Sequence, residues 1–122
     1  MGTFVLVVDD DRDIRDSLIE TLEDHGYAAI GAGNGVEALE VLRTAEAPPC
    51  LILLDLMMPV MDGREFREQQ LKHAAWAEIP VIVVSAYGDV EEQAGALHLA
   101  FMRKPLATRP LIAAVEHHAR PT

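Results

Sequence analysis

Five residues whose side chains suit chemistry stand directly at the ends of apolar segments. Asp9 and Asp10 follow Phe4-Val5-Leu6-Val7-Val8, Asp55 follows Leu51-Ile52-Leu53-Leu54, Ser85 follows Val81-Ile82-Val83-Val84, and Lys104 follows the segment 100–103. Carboxylates gathered in one place repel one another, and a hard divalent cation with oxygen ligands relieves that repulsion. A hydroxyl and an ammonium on the same edge can hydrogen-bond and neutralise phosphate oxygens. Singly, each residue has a plainer role: an acidic residue after a strand is commonly a helix cap, a serine a turn residue, a lysine a solvated charge. Asp11, just before the next helical stripe, is assigned such a capping role. Taken together, a carboxylate nucleophile, a metal site, a donor hydroxyl and a cation on one rim are the parts of phosphoryl transfer onto an aspartate.

Those residues meet only if the surrounding elements carry them to one edge. The three apolar runs are continuous rather than alternating, as in strands covered on both faces. Weaker strands are predicted over Ala28–Ala32 and Ala100–Arg103. Between them, Ile14, Leu18 and Leu22 form one helical stripe, Val36, Leu39 and Leu42 a second, and Leu111, Val115 and His118 a third. Asn34-x-x-Glu37, Asp62-x-x-Glu65 and Asp89-x-x-Glu92 have the spacing of capping boxes. Thr108 is the expected N-cap of the last helix, with Pro110 in its first turn. Five alternating strand–helix units predict an α/β fold: a doubly wound, five-stranded parallel sheet with helices on both faces. In such sheets ligands bind beyond the carboxyl ends of the strands. The turn at Ala47-Pro48-Pro49 is no domain boundary, and residues 1–122 are expected to form a single domain.

The formal charge of −10 and pI near 4.7 argue against this segment gripping nucleic acid or an anionic membrane. Cys50 is the only cysteine, so no intrachain disulfide forms. The N-terminus lacks a basic start followed by a long apolar run, and no segment approaches the ~20 apolar residues that span a bilayer. A cytoplasmic location is expected.

The motifs around the five residues carry a resemblance. Val7-Val8-Asp9-Asp10-Asp11, Leu54-Asp55-Leu56-Met57-Met58-Pro59-Val60-Met61-Asp62-Gly63, Val84-Ser85-Ala86 and Arg103-Lys104-Pro105 resemble, in order and spacing, the receiver domain of bacterial two-component response regulators. The match covers essentially the whole chain. It implies a flavodoxin-like (βα)5 fold and a signalling domain, not an enzyme beyond its own phosphotransfer and autodephosphorylation. By that resemblance Asp55 is the phosphoacceptor, Asp10 and Asp55 are Mg2+ ligands, Asp9 acts through a metal-bound water, and the Met57 backbone carbonyl completes the protein's share. Lys104 would pair with the phosphoryl group, Ser85 would hydrogen-bond it, and Phe101 would be the aromatic switch residue. Pro59 and Gly63 would shape the loop around Asp55. The expected donor is a histidine kinase or histidine phosphotransfer protein, docking on the first helix and the loops of the acidic rim. The expected output surface is the fourth helix, fifth strand and fifth helix, roughly residues 89–118, serving an effector domain or a phosphorylation-dependent homodimer.

Some positions depart from the family pattern. Ser85 stands where threonine is more frequent, and Phe101 lacks a tyrosine's hydroxyl. Leu97 and His98 replace a common Gly-Ala pair, so the fourth helix is expected to end differently. Leu106 replaces a frequent phenylalanine. Met57 and Tyr87 flank the centre and are expected to slow the water that releases the phosphoryl group.

Other residues carry blander assignments. His117 and His118 complement the negative pole of the final helix, while His25, His73 and His98 are surface residues. Trp76 is a packing residue, and Met57, Met58 and Met61 fill the loop or core. Asp9-x-Asp11 also resembles the first motif of haloacid-dehalogenase-type phosphatases, with Asp9 as nucleophile and Asp11 as its acid/base partner. Arg12-Asp13 replaces the Gly-Thr that scheme requires, and it leaves the string around Asp55 unexplained. A phosphorylation-independent interaction module would need no such acidic cluster.

Overall fold

The computed structural model describes residues 3–85 and 90–119. The order is β1 (Val5–Val8), α1 (Arg12–Asp24), β2 (Ala29–Ala32), α2 (Gly35–Thr44), β3 (Leu51–Leu54), α3 (Gly63–Leu71), β4 (Val81–Ser85), α4 (Val90–Ala96), β5 (Ala100–Arg103) and α5 (Thr108–Ala119). All pairings are parallel, and the five strands lie in the order β2-β1-β3-β4-β5. Strand order reverses between β1 and β3, which places a crevice beyond their carboxyl ends.

Alternation along the central strands sorts their side chains into two cores. Leu6, Val8, Ile52, Leu54, Val81 and Val83 face Ala38, Leu42, Phe66 and Ala94 of α2, α3 and α4. Val5, Val7, Leu51, Leu53, Ile82 and Val84 face Leu22 of α1 and Leu111 and Val115 of α5. Every residue of β1, β3 and β4 is therefore buried, which is why these strands read as unbroken apolar runs. Edge strands β2 and β5 are covered less completely, and their sequences are correspondingly weaker.

Three expectations shift. On α2 the buried line is Gly35, Ala38 and Leu42, whereas Val36 is 49% exposed. Leu39 and Leu42 of the expected stripe do pack on the core, but Val36 falls off it because a small residue, Gly35, lets the helix approach Met61 closely; a Cβ there would lie 2.5 Å from Met61 Cγ. Thr108 begins α5 instead of capping it, because the Leu111 N–H bonds to the Ala107 carbonyl. The box at Asn34 is also partial: Asn34 accepts from the Glu37 N–H, but Glu37 reaches the Gly33 N–H. The box at Asp62 and Glu65 is complete, and Asp11 caps α1 by accepting from the Ile14 N–H. The box at Asp89 and the residue Tyr87 lie outside the described residues. Burial, and then the neighbouring His117, lower the pKa of His118, so it is a weaker complement to the α5 pole than its position suggests.

The fourth helix runs into a turn that closes on a left-handed residue. Leu97, His98 and Leu99 donate back to Ala94, Gly95 and Ala94, and His98 takes the left-handed conformation at φ 57° that glycine would adopt more easily.

A buried amide holds the turns between α3 and β4. Gln70 is fully buried; its Nε2 donates to the carbonyls of Trp76 at 2.9 Å and Ile79 at 3.1 Å, and its Oε1 accepts from Arg67 at 2.8 Å. Gln70→Leu keeps the volume but strands the Ile79 carbonyl and removes the acceptor of Arg67, while the Trp76 carbonyl keeps the Ile79 N–H at 3.0 Å, so it is expected to lower stability by about 2–3 kcal/mol in urea denaturation. A loss below ~0.5 kcal/mol would mean that the turns hold themselves.

Candidate phosphoacceptor site

The carboxyl ends of β1, β3, β4 and β5 deliver Asp9, Asp55, Ser85 and Lys104 to one rim. Backbone bonds fix their approach: Asp9 N–H to Ala32 O at 3.0 Å, Asp55 N–H to Val8 O at 2.9 Å, and Lys104 N–H to Ser85 O at 3.0 Å. Asp9, Asp55 and Ser85 are buried, whereas Asp10 is exposed.

Two carboxylates share one ammonium. Lys104 Nζ lies 2.5 Å from Asp9 Oδ2 and 3.3 Å from Asp55 Oδ2, with its side chain only 11% exposed. The remaining oxygens accept loop amides: Asp9 Oδ1 from Asp11 N–H at 2.9 Å and Asp55 Oδ1 from Met57 N–H at 3.1 Å. Asp10 joins them, with one oxygen from each of Asp9, Asp10 and Asp55 all within 4.8 Å of one another. One ammonium against three carboxylates leaves net negative charge, and the donors are hard oxygens, so the cluster fits a small hard cation such as Mg2+.

The imbalance is felt at Asp55. Burial, with the charge of Asp9 adding to it, pushes the Asp55 carboxyl up to about 6 against the opposing Met57 N–H and Lys104. Burial alone would lower Lys104, but its hydrogen bond to Asp9 and the charges of Asp55 and Asp9 outweigh this and raise it. The ammonium is thus held protonated while the Asp55 carboxyl is driven toward its neutral form.

The loop after Asp55 is anchored on both sides. A Cβ on Gly63 would lie 2.6 Å from the Asp55 carbonyl oxygen and 2.7 Å from Leu56 Cα, so only glycine lets α3 start against this strand end. Met61 N–H bonds to Pro59 O at 2.8 Å around Val60, whose φ of 68° makes a γ-turn of the strained, positive-φ kind. Val60 is 79% exposed, so its side chain supplies little packing to offset this. Val60→Asn is expected to raise stability by about 1 kcal/mol, measured by thermal and urea unfolding, because asparagine tolerates left-handed backbone. Val60→Ile, equally branched, should give no gain; a matching gain would place the effect elsewhere.

Phe101 is half-buried against the core on the α2–α4 side, with the Arg103 guanidinium 5.7 Å from its ring centre. Met57 is 52% exposed, two residues after Asp55. Asp11 accepts the Ile14 N–H at 3.1 Å, the capping role its position implies. One contact bears no sequence motif: Arg15 Nη1 donates to the Asp9 carbonyl at 2.8 Å.

Residues 5–116 match the family model described as the response regulator receiver domain. The chain belongs to that family. Among similar proteins, a receiver-containing relative named response regulator MprA from Mycobacterium ulcerans is 37% identical over 116 residues, covering 93% of this chain and 48% of the relative. The chain spans about half the length of the curated relatives it matches. Among solved structures, the chemotaxis protein CheY4 of Vibrio cholerae superposes with a TM-score of 0.83 at 26% identity, covering 97% of this chain and 99% of that one. The N-terminal domain of a response regulator receiver protein from Methanoculleus marisnigri gives 0.72 at 35% identity, with 98% of each chain covered. This receiver therefore has the fold that its motifs imply. Among its described residues, no helix is long and apolar enough to cross a membrane.

Proposed function

We propose that this receiver is a phosphorylation-activated switch whose acceptor is Asp55, working with Mg2+. The observation that carries the reading is the convergence of Asp9 and Asp55 on Lys104, with Asp10 within reach of both. Asp10, Asp55 and the Met57 carbonyl would hold the ion directly, and Asp9 through a water. When bound, Mg2+ supplies charge neutralisation for phosphate and carboxylate oxygens.

An Asp55 oxygen forms a bond to phosphorus as the phosphorus–nitrogen bond of a donor phosphohistidine breaks and the imidazole nitrogen leaves with the electron pair. Lys104 then pairs with phosphoryl oxygens, and the Ser85 hydroxyl donates to them. Phe101 turns inward as Ser85 moves, changing the α4–β5–α5 surface for an effector or a second copy. Ser17, Leu18, Pro105 and Leu106 help line a cleft of about 470 Å³ beside Lys104, where α1 and the β5–α5 loop offer an apolar seat to the kinase or phosphotransfer protein. The domain catalyses only its own phosphotransfer and dephosphorylation, acts in the cytoplasm, and binds neither nucleic acid nor membrane itself.

The test is intact mass after incubation with acetyl phosphate. A gain of one phosphoryl group that requires Mg2+ is expected. If there is no gain, and beryllofluoride with Mg2+ also leaves the unfolding temperature unchanged, the switch reading fails.

A further inference from the structure

Two of the rim's three clustered carboxylates, Asp9 and Asp10, stand on one short loop after β1, and a side chain of α1 reaches back to it. We infer that Arg15 is a positioning residue that holds Asp9 and Asp10 in place for the metal and phosphoryl chemistry; this rests on the function proposed above.

Arg15 is half-buried, whereas the side chain of its neighbour Arg12 on the same helix is 84% exposed and pairs with Asp16. The Arg15 side chain turns back over the sheet edge, and Nη1 donates to the Asp9 carbonyl at 2.8 Å. Its own backbone N–H donates to the Asp11 carbonyl at 2.9 Å. The second bond is the ordinary first bond of α1 and needs no arginine; the first is the side chain's own and ties the loop just before Asp10 to the helix. The effect on geometry follows from peptide planarity. The Asp9 carbonyl oxygen, the Asp10 nitrogen and both Cα atoms share a plane, so holding that oxygen restrains the peptide unit from which both acidic side chains branch.

The slot for this arginine is written into β2 and the residue beyond it. A Cβ on Gly31 would lie 2.9 Å from Arg15 Cδ, 3.1 Å from its Cγ and 3.0 Å from Ile19 Cδ1. On Gly33 it would lie 3.4 Å from Arg15 Nη1. Glu37 Oε1 accepts the Gly33 N–H at 2.7 Å and holds that end of the floor. Gly31 therefore clears the track for the arginine stem, while a Cβ on Gly33 would meet Glu37 Oε1 first, at 3.2 Å, and the guanidinium only at ordinary contact distance. Arginine suits the position because its rigid fork stays charged and aims a donor at a single carbonyl.

The experiment measures Mg2+ dissociation constants by calorimetry for wild type, Arg15→Ala, Arg15→Lys, Gly31→Ala and the Arg15→Ala/Gly31→Ala pair. Hydrogen exchange at the Asp11 amide in metal-free protein is the second readout. Arg15→Ala should weaken Mg2+ binding about tenfold, as loss of a group that orients a metal ligand does. Gly31→Ala, which leaves the arginine intact but blocks its track, should act in the same direction. The pair should bind no worse than Arg15→Ala alone, because both changes remove one interaction. Arg15→Lys should recover only part of the affinity, and Asp11 exchange should quicken in each variant. Wild-type binding with Arg15→Ala within twofold of it, or independent addition of the two defects, overturns the inference and leaves the proposed function standing. Absence of Mg2+ binding by wild type overturns both. If Arg15→Ala fails to fold, Gly31→Ala and Arg15→Lys decide by the same criteria.

Discussion

Asp55→Asn is expected to abolish phosphoryl labelling and, at the same time, to make the metal-free protein more stable at pH 7. The two effects share one cause. Asp55 lies in a buried site, with Asp9 and Asp10 for neighbours, and its pKa is pushed up to about 6 from the ordinary 3.8. A group whose folded pKa is raised binds its proton more readily in the folded state, so acidification through about 6 stabilises the fold, and above that pH the ionised carboxylate costs stability. Each pKa unit corresponds to about 1.4 kcal/mol, and the partly solvated rim screens a good share of it, leaving an expected gain of about 1 kcal/mol for asparagine. Asparagine keeps an oxygen for the Met57 N–H, and Lys104 keeps Asp9. The measurement is urea denaturation of wild type and variant in EDTA between pH 5 and 7. The gap should be widest at pH 7 and close toward pH 5. Parallel profiles would refute the electrostatic account. Mg2+ affinity of the wild type should weaken over the same interval, since the ion needs Asp55 ionised.

Lys104→Ala is the second large effect, and its stability sign is opposite. Lys104 joins Asp9 and Asp55 with a side chain only 11% exposed, so its removal leaves two buried carboxylates facing each other and Asp10 nearby. Breaking a buried pair by deleting one partner typically costs about 3–5 kcal/mol, and water entering at this open edge brings the expected loss to about 2–4 kcal/mol in EDTA. Mg2+ should restore more stability to the variant than it adds to wild type, because the cation replaces the missing charge. Labelling by acetyl phosphate should fall about a hundredfold, the scale on which a fixed donor to developing phosphoryl charge acts. Lys104→Ala unfolding like wild type without metal would show that the two carboxylates do not depend on the ammonium.

Much of the fold was legible because its central strands are extreme. Val5–Val8, Leu51–Leu54 and Val81–Ser85 are buried on both faces, so they cannot alternate, and continuous apolar runs of that length between helical stripes leave few architectures. Helix starts at Asp11 and Asp62 were equally plain, since a capping side chain is a local bond between residues three apart. Helix faces were less so. Val36 is apolar and so joins the helical stripe, but burial on α2 follows the approach of Met61 from another loop, which no local pattern records. At Thr108 the chain offered a good cap one residue late, and the carbonyl of Ala107 decided the start.

The candidate site divides the same way. By itself the sequence determined which residue types stand at the strand ends, and hence that Asp9, Asp10, Asp55, Ser85 and Lys104 come to one rim once the strands lie parallel. It did so because a strand's exit point is fixed by its own length and burial. Only the tertiary structure decided how those charges are shared: that Lys104 spans Asp9 and Asp55, that Asp55 is the member driven toward neutrality, and that Arg15 reaches back to the Asp9 carbonyl over Gly31 and Gly33. Those outcomes depend on distances of a few ångströms between residues up to 95 positions apart in numbering, as Asp9 and Lys104 are. Coulomb energy, desolvation and the space left by a missing Cβ all change steeply over such distances, and spacing along the chain carries no record of them.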